Sequence, residues 1–151
     1  MEIRVDDPRK ADVANLLHEH LQEMTSYAPP ESTHALDVEG LTSPGVTFWT
    51  AREGNRLLGC GALLEIDSQH GEIKSMRTAK DHLRKGIASA ILEHIIEVAR
   101  QRSYSRLSLE TGSMPAFGPA RRFYRRYGFV TCEPFADYVP DPNSTFMTRE
   151  L

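Results

Sequence analysis

The chain has 151 residues, 40% of them hydrophobic, with 18 basic against 21 acidic side chains and a formal net charge of −3. That length suits one domain, residues 1–151, with a proper core, and leaves little for a second. A near-neutral balance argues against a dedicated nucleic-acid binder, because affinity for a phosphate backbone needs clustered Lys and Arg.

No run of about 18 apolar residues occurs, and Met1-Glu2-Ile3-Arg4-Val5-Asp6 has neither a basic nor an apolar leader region. The expectation is a soluble, cytoplasmic protein with no membrane partner. Cys60 and Cys132 sit in apolar, strand-like runs and read as reduced core residues, with the spacing of neither a disulfide framework nor a zinc site.

In chain order, residues 2–5 alternate as a short strand, and Asp7-Pro8 opens a helix that carries Val13, Leu16, Leu17, Leu21 and Met24 on one face. Within it, His18-Glu19-His20 fails the zinc pattern His-Glu-x-x-His, because Gln22 stands at the second His position. A polar helix face is expected there, and no metal. Ala28-Pro29-Pro30-Glu31-Ser32 breaks the helix, and residues 33–41 read as a second, shorter one. Strands follow at 46–51 and 57–66, with Glu53-Gly54-Asn55 as a hairpin turn, and a third runs from Gly71 to Thr78.

Leu83-Arg84-Lys85-Gly86-Ile87-Ala88 then leads into a long helix reaching about Arg102, with Ile87, Ile91, Ile95 and Val98 in one stripe. A strand that ends in a tight basic turn and feeds straight into a helix leaves the first helical N–H groups unpaired and aimed at one point. Those donors, the helix dipole, Arg84 and Lys85 all favour a phosphate, and Gly86 lets it approach the backbone without meeting a Cβ. Residues 106–110 form a further strand. Past a loop with Pro115 and Pro119, a short helix places Ala120, Phe123, Tyr124 and Tyr127 on one side and stops at Gly128. Strands at 129–132 and 145–151 close the chain. The sum is a mixed α/β layer structure with mostly antiparallel strands. Neither Gly-x-Gly-x-x-Gly nor Gly-x-x-x-x-Gly-Lys-Ser/Thr occurs, which disfavours dinucleotide and P-loop nucleotide binding.

Over nearly its whole length this order of elements resembles the GNAT superfamily of acetyl-CoA-dependent N-acetyltransferases. The family turn Gln/Arg-x-x-Gly-x-Gly/Ala is matched by Leu83-Arg84-Lys85-Gly86-Ile87-Ala88, with Leu83 in place of Gln or Arg. A second signature, Ala-x-x-aromatic/aliphatic-Tyr-x-x-x-Gly-Phe, is matched from Ala120 to Phe129. Phe117 stands where many relatives carry Asn. Pro29-Pro30-Glu31-Ser32 and Asp141-Pro142-Asn143-Ser144 are similar to segments of small bacterial members.

The resemblance implies a GNAT fold with helices on both faces of the sheet, and direct acetyl transfer from acetyl-CoA to a primary amine of a small molecule or peptide. It assigns backbone contacts to the pantetheine arm at Met76, Arg77 and Thr78, and the pyrophosphate to Arg84, Lys85, Gly86, Ile87, Ala88 and Ser89. Tyr124 matches the family's general acid. A phenol, with an ordinary pKa of about 10, stays protonated at neutral pH and can donate to the departing thiolate. Glu72 is the favoured proton acceptor, with Glu110 the other strand-end carboxylate in reach. Glu31, His34, Trp49 and Glu110 are the acceptor-side candidates, an aromatic and an acid suiting a cationic amine. Arg121-Arg122 and Arg125-Arg126 read as a solvated helix face; the functional alternative is that one or two of them reach the coenzyme's phosphates. A homodimer through the final hairpin is plausible for such folds. The alternative is a non-catalytic acyl-CoA-binding sensor or interaction module, which Leu83 and Phe117 keep open and Tyr124 opposes.

Overall fold

The computed structural model describes residues 1–34 and 36–151. Its strands are β1 (Glu2–Val5), β2 (Val46–Glu53), β3 (Arg56–Asp67), β4 (His70–Thr78), β5 (Arg106–Gly112), β6 (Val130–Cys132) and β7 (Ser144–Glu150). Its α-helices are α1 (Ala11–Tyr27), α2 (Val38–Leu41), α3 (Ile87–Gln101) and α4 (Gly118–Arg126). The strands form one seven-stranded sheet in the order β1-β2-β3-β4-β5-β7-β6. All neighbours are antiparallel except β4 and β5, which run parallel because α3 carries the chain back between them. This is the mixed α/β fold that the order of elements predicts.

Pleat alternation sorts the apolar side chains into two cores. On one face, Phe48, Cys60 and Ala62 pack beneath α1 and α2 with Val13, Leu16, Leu17 and Leu41. On the other, Trp49, Leu63, Ile73 and Leu107 pack beneath α3 and α4. Two strand glycines let α3 sit close: a Cβ at Gly59 would stand 3.0 Å from Ile87 Cγ2, and one at Gly61 would stand 2.8 Å from Ile91 Cγ2.

The central feature is a divergence. β4 and β5 share only the register pairs His70–Arg106, Gly71–Leu107 and Glu72–Ser108. Beyond them the strands part, so residues 73–78 border a wedge with backbone that β5 does not pair. β4 stays tied to β3 on its other side, but through a bulge: the register steps from Cys60–Arg77 to Ala62–Lys74, and Ser75 takes a φ of 55°. A bulge re-aims side chains beside the place where pairing stops.

Strand limits differ from the sequence reading by one or two residues, and three larger differences have a physical cause. The first helix starts at Ala11 rather than Pro8, because the Asp7 carboxylate accepts the Arg9 N–H at 2.9 Å while Asp6 pairs with Arg52 at 3.0 Å, holding the chain in a turn. The second helix is confined to Val38–Leu41, capped by the Asp37 carboxylate accepting from Gly40 N–H at 2.8 Å, and a 3₁₀ turn occupies Pro30–Ser32. Ala35, inside the expected helix, lies outside the described residues. Finally, β4 does not feed straight into α3. Residues 79–86 intervene, with a 3₁₀ turn at Lys80–His82.

Candidate active site

A cleft of about 410 Å³ opens where β4 and β5 part, walled by both strands, the end of α1, residues 32–34, and α4 with the turn before it. On its α1 side stands a compact polar cluster. Tyr138 Oη donates to Glu72 Oε2 at 2.6 Å, and Lys74 Nζ donates to the same oxygen at 3.2 Å and to Tyr138 Oη at 3.1 Å. Glu72 and Lys74 are both almost fully buried, so this is an ion pair completed by a phenol rather than a solvated carboxylate. Beside Glu72 the Tyr138 phenol is held well above its ordinary value, first by burial and then by the neighbouring negative charge.

Glu110 lies on β5 two positions past the last β4–β5 pair and lines the same cleft. Burial pushes its carboxyl up to about 7, against the pull of Ser144 and Lys74. Two loops close this side. Ser32 Oγ donates to Asp141 Oδ2 at 2.6 Å, Asn143 Nδ2 donates to Ser32 Oγ at 3.3 Å, and His34 meets Tyr138 edge to face at 5.0 Å.

Across the gap, α4 presents Tyr124, 8% exposed and set edge-on to Phe123 and Phe129 at 5.1 and 5.7 Å. Its hydroxyl has no hydrogen-bond partner among the described residues, and burial holds the phenol above its ordinary value. The helix is fixed at both ends. Arg121 Nη1 donates to the carbonyls of Gly112 at 2.6 Å and Met114 at 3.1 Å, and Gly128 takes φ +87° as the chain turns into β6. Arg121 is thus a loop anchor, which corrects its reading as part of a solvated face or a phosphate contact. Phe117 lies against Gly112, where any Cβ would stand 2.2 Å from the ring, and meets Tyr27 edge to face at 5.6 Å. The position where the resemblance leads to an Asn is here an apolar wall of the cleft.

In the loop before α3, Arg84 and Gly86 take positive φ values of 63° and 80°, and Gly86 is the N-cap of α3, with no side-chain cap. Alternating handedness gathers successive N–H groups into an anion-binding concavity. Arg84, Lys85 and Gly86 are exposed, and a Cβ at Gly86 would meet nothing within 4 Å, so the left-handed φ rather than crowding explains the glycine. This loop reaches the cleft through Leu83.

The structure therefore brings Tyr124, Glu72, Glu110, His34, Met76 and Arg77 to one cleft. Thr78 ends β4 just beyond its lining, and Arg84 to Ser89 lie along the loop and first turn that adjoin it. Two candidates lie elsewhere. Trp49 is 3% exposed and packs against His94 on the α3 face, because alternation along β2 sends Phe48 toward α1 and its neighbour the other way. Glu31 points outward from the 3₁₀ turn, while Ser32 beside it turns inward. Neither Glu72 nor Glu110 is a solvated strand end. Tyr138, Lys74 and Ser75 join the cleft without having been singled out from the sequence. His20 belongs to the cleft wall and not to a polar helix face; burial, then the Arg77 charge, lower its pKa to about 4 and keep it neutral. Cys60 is a buried thiol pushed up to about 12, and Cys132 is half-buried. Among the described residues no group of three or more potential ligands converges on a metal position, and no helix is long and apolar enough to cross a membrane.

A sequence model of the acetyltransferase (GNAT) family matches residues 13–129, from the first buried residue of α1 to the phenylalanine after α4. The chain belongs to this family. It is 59% identical over 151 residues to the uncharacterized N-acetyltransferase YsnE of Bacillus subtilis (strain 168), covering 100% of both chains. It is 50% identical over 149 residues to the uncharacterized N-acetyltransferase YedL of Escherichia coli (strain K12), covering 99% of this chain and 94% of that one. Among solved structures, a Klebsiella pneumoniae protein assigned to the acyl-CoA N-acyltransferases aligns with a TM-score of 0.77 at 28% identity, over 99% of this acetyltransferase and 97% of that chain. A GNAT-family acetyltransferase of Elizabethkingia anophelis, solved with acetyl-CoA bound, shares the fold at a TM-score of 0.70 and 18% identity, over 99% and 97% of the two chains.

Proposed function

We propose that this acetyltransferase takes acetyl-CoA as its donor and acetylates a primary amine of a small molecule or peptide in the gap between β4 and β5, as one catalytic unit over residues 1–151. The observation that carries this reading is the gap itself. It joins the two faces of the sheet, with Tyr124 on one side, Glu110 on the other, and unpaired β4 backbone between them. A family member of the same fold was solved with acetyl-CoA bound, which supports the choice of donor.

Acetyl-CoA would supply a thioester carbonyl and a thiolate leaving group. The open edge of β4 at Met76, Arg77 and Thr78 offers backbone groups to an extended pantetheine arm, as an added strand would use them. Arg84, Lys85 and the uncapped N–H groups from Gly86 to Ser89 suit a pyrophosphate. Tyr124 has a free, protonated hydroxyl and would donate to the leaving sulfur.

For the amine proton the geometry favours Glu110, which revises the sequence preference for Glu72. Glu72 Oε2 already accepts from Tyr138 and Lys74 in a nearly sealed setting, which leaves that oxygen occupied rather than open to an incoming amine. Glu110, poised near 7, can collect a proton at neutral pH and release it to solvent. The reading is tested by thiol release from acetyl-CoA across a panel of primary amines, amino acids and short peptides, with mass analysis of the product. An N-acetylated amine supports it; transfer to alcohols or thiols in place of amines refutes the acceptor class.

A further inference from the structure

Three side chains on one wall of the cleft leave buried polar atoms without any partner among the described residues: His20 Nδ1, Ser75 Oγ and Arg77 Nε. His20 is 8% and Ser75 7% exposed, and all three residues line the cleft between α1 and β4. An unpartnered buried polar group costs about 1–3 kcal/mol, and native folds carry few of them. Three on residues that line one cleft are hard to assign to packing. The bulge contributes: its left-handed Ser75 departs from plain strand geometry beside the point where β5 leaves.

The chemistry of the set is one-sided. Arg77 Nε can only donate, a serine hydroxyl can donate, and a neutral imidazole nitrogen donates in one tautomer. Lys74 adds a further donor, since its ammonium contacts only Glu72 and Tyr138 among the described residues and has a third hydrogen to give. The acidic side chains of this wall are already spent: Glu23 pairs with Arg77 at 2.7 Å and Glu72 with Lys74. Glu110, on the β5 side of the cleft, is held partly protonated by burial, so a wall whose own acids are paired and whose surplus is donors does not select a polycation. It suits a compact anion.

We propose that the wall formed by His20, Ser75 and Arg77 binds a carboxylate of the acceptor, so that the substrate class is a small amino acid or related aminocarboxylate. This rests on the acetyl-transfer reading above and narrows its acceptor. Carboxylate recognition would hold the acceptor across the α1 side of the gap and leave its amine free to face the thioester, with Glu110 in the same cleft.

The test compares acetylation of matched triplets, each an amino acid, its carboxamide and the corresponding decarboxylated amine, across the common side-chain classes. For the preferred side chain, kcat/KM is expected to favour the amino acid by about 30-fold or more over both analogues, the scale of a lost charge-assisted contact. In Ser75→Ala and, separately, Arg77→Gln, that ratio falls toward one, and the change appears mainly in KM for the amino acid. Circular dichroism and melting of each variant show that it is folded, and Ser75→Ala, a minimal truncation, serves if Arg77→Gln is not. Equal rates for all three members of every triplet, or a preference unchanged in both folded variants, overturn the carboxylate site while leaving acetyl transfer standing. Absence of transfer to any amine overturns the underlying reading and this inference with it.

Discussion

Tyr124 and Glu110 face one gap from opposite faces of the sheet, and burial raises both, with different chemical consequences. A phenol held above its ordinary value stays protonated and remains a donor. A carboxyl lifted to about 7 is divided between acid and base at neutral pH. If Glu110 takes the amine proton, kcat/KM rises with pH through about 7, and Glu110→Gln lowers it by about 100-fold and removes that limb of the profile. The same group makes a stability prediction of definite sign. Its folded pKa lies above the ordinary 4.5, so the stability linked to it is complete below pH 4.5 and is lost as pH rises to about 7. Glu110→Gln should therefore melt higher than the parent protein at pH 8 and match it at pH 4. Glu72→Gln separates the two carboxylates. It leaves the Lys74 ammonium buried without its counter-charge and should cost about 3 kcal/mol in denaturant unfolding, while the activity limb near 7 persists.

Among the elements, the loop into α3 and the seat of that helix make distinct demands on glycine. Gly86 needs its positive φ, not space, so Gly86→Val is expected to raise KM for acetyl-CoA about tenfold or more while changing kcat far less. Gly61 needs space, since a Cβ there would lie 2.6 Å from Met76 Sδ and 2.8 Å from Ile91 Cγ2. Gly61→Ala should cost about 1–3 kcal/mol by pushing α3 off the sheet, read from the shift of the denaturant midpoint. What was legible in the sequence follows the same division between local and distant causes. The α3 stripe, the Gly86 turn, Tyr124 before Gly128, and the strand order around them are written in short-range periodicity and punctuation. Trp49 was misplaced because β2 is buried on both faces, so alternation of apolar and polar residues, the usual guide to facing, is absent. Tyr138 was missed because its partner Glu72 is 66 residues away, and a tyrosine in an irregular loop carries no periodic signal. The bulge at Ser75 was invisible for the same reason: register against β3 is a pairwise property.

At the scale of the molecule, the parted strands turn a sheet into a passage between two faces. α3, α4 and the Gly86 loop form the side suited to the donor, and α1 with the loops at 28–34 and 133–143 forms the side suited to the acceptor. Those loops meet through Ser32 and Asp141, 109 residues apart, so the acceptor side depends on the whole chain being folded. Local motifs shape the side proposed for the donor, which explains why the family signatures fall there while the acceptor is read from side-chain chemistry. The central claim is that acetyl transfer occurs in this passage with Tyr124 at the leaving group. Its most direct test is acetyl-CoA affinity, measured by calorimetry, alongside steady-state thiol release at saturating amine for the parent protein and Tyr124→Phe. With Tyr124 at the leaving group, affinity is preserved within about twofold and kcat is reduced by about 10- to 100-fold. Unchanged turnover in Tyr124→Phe, or acetyl-CoA binding by the parent protein with no turnover of any amine, would contradict it.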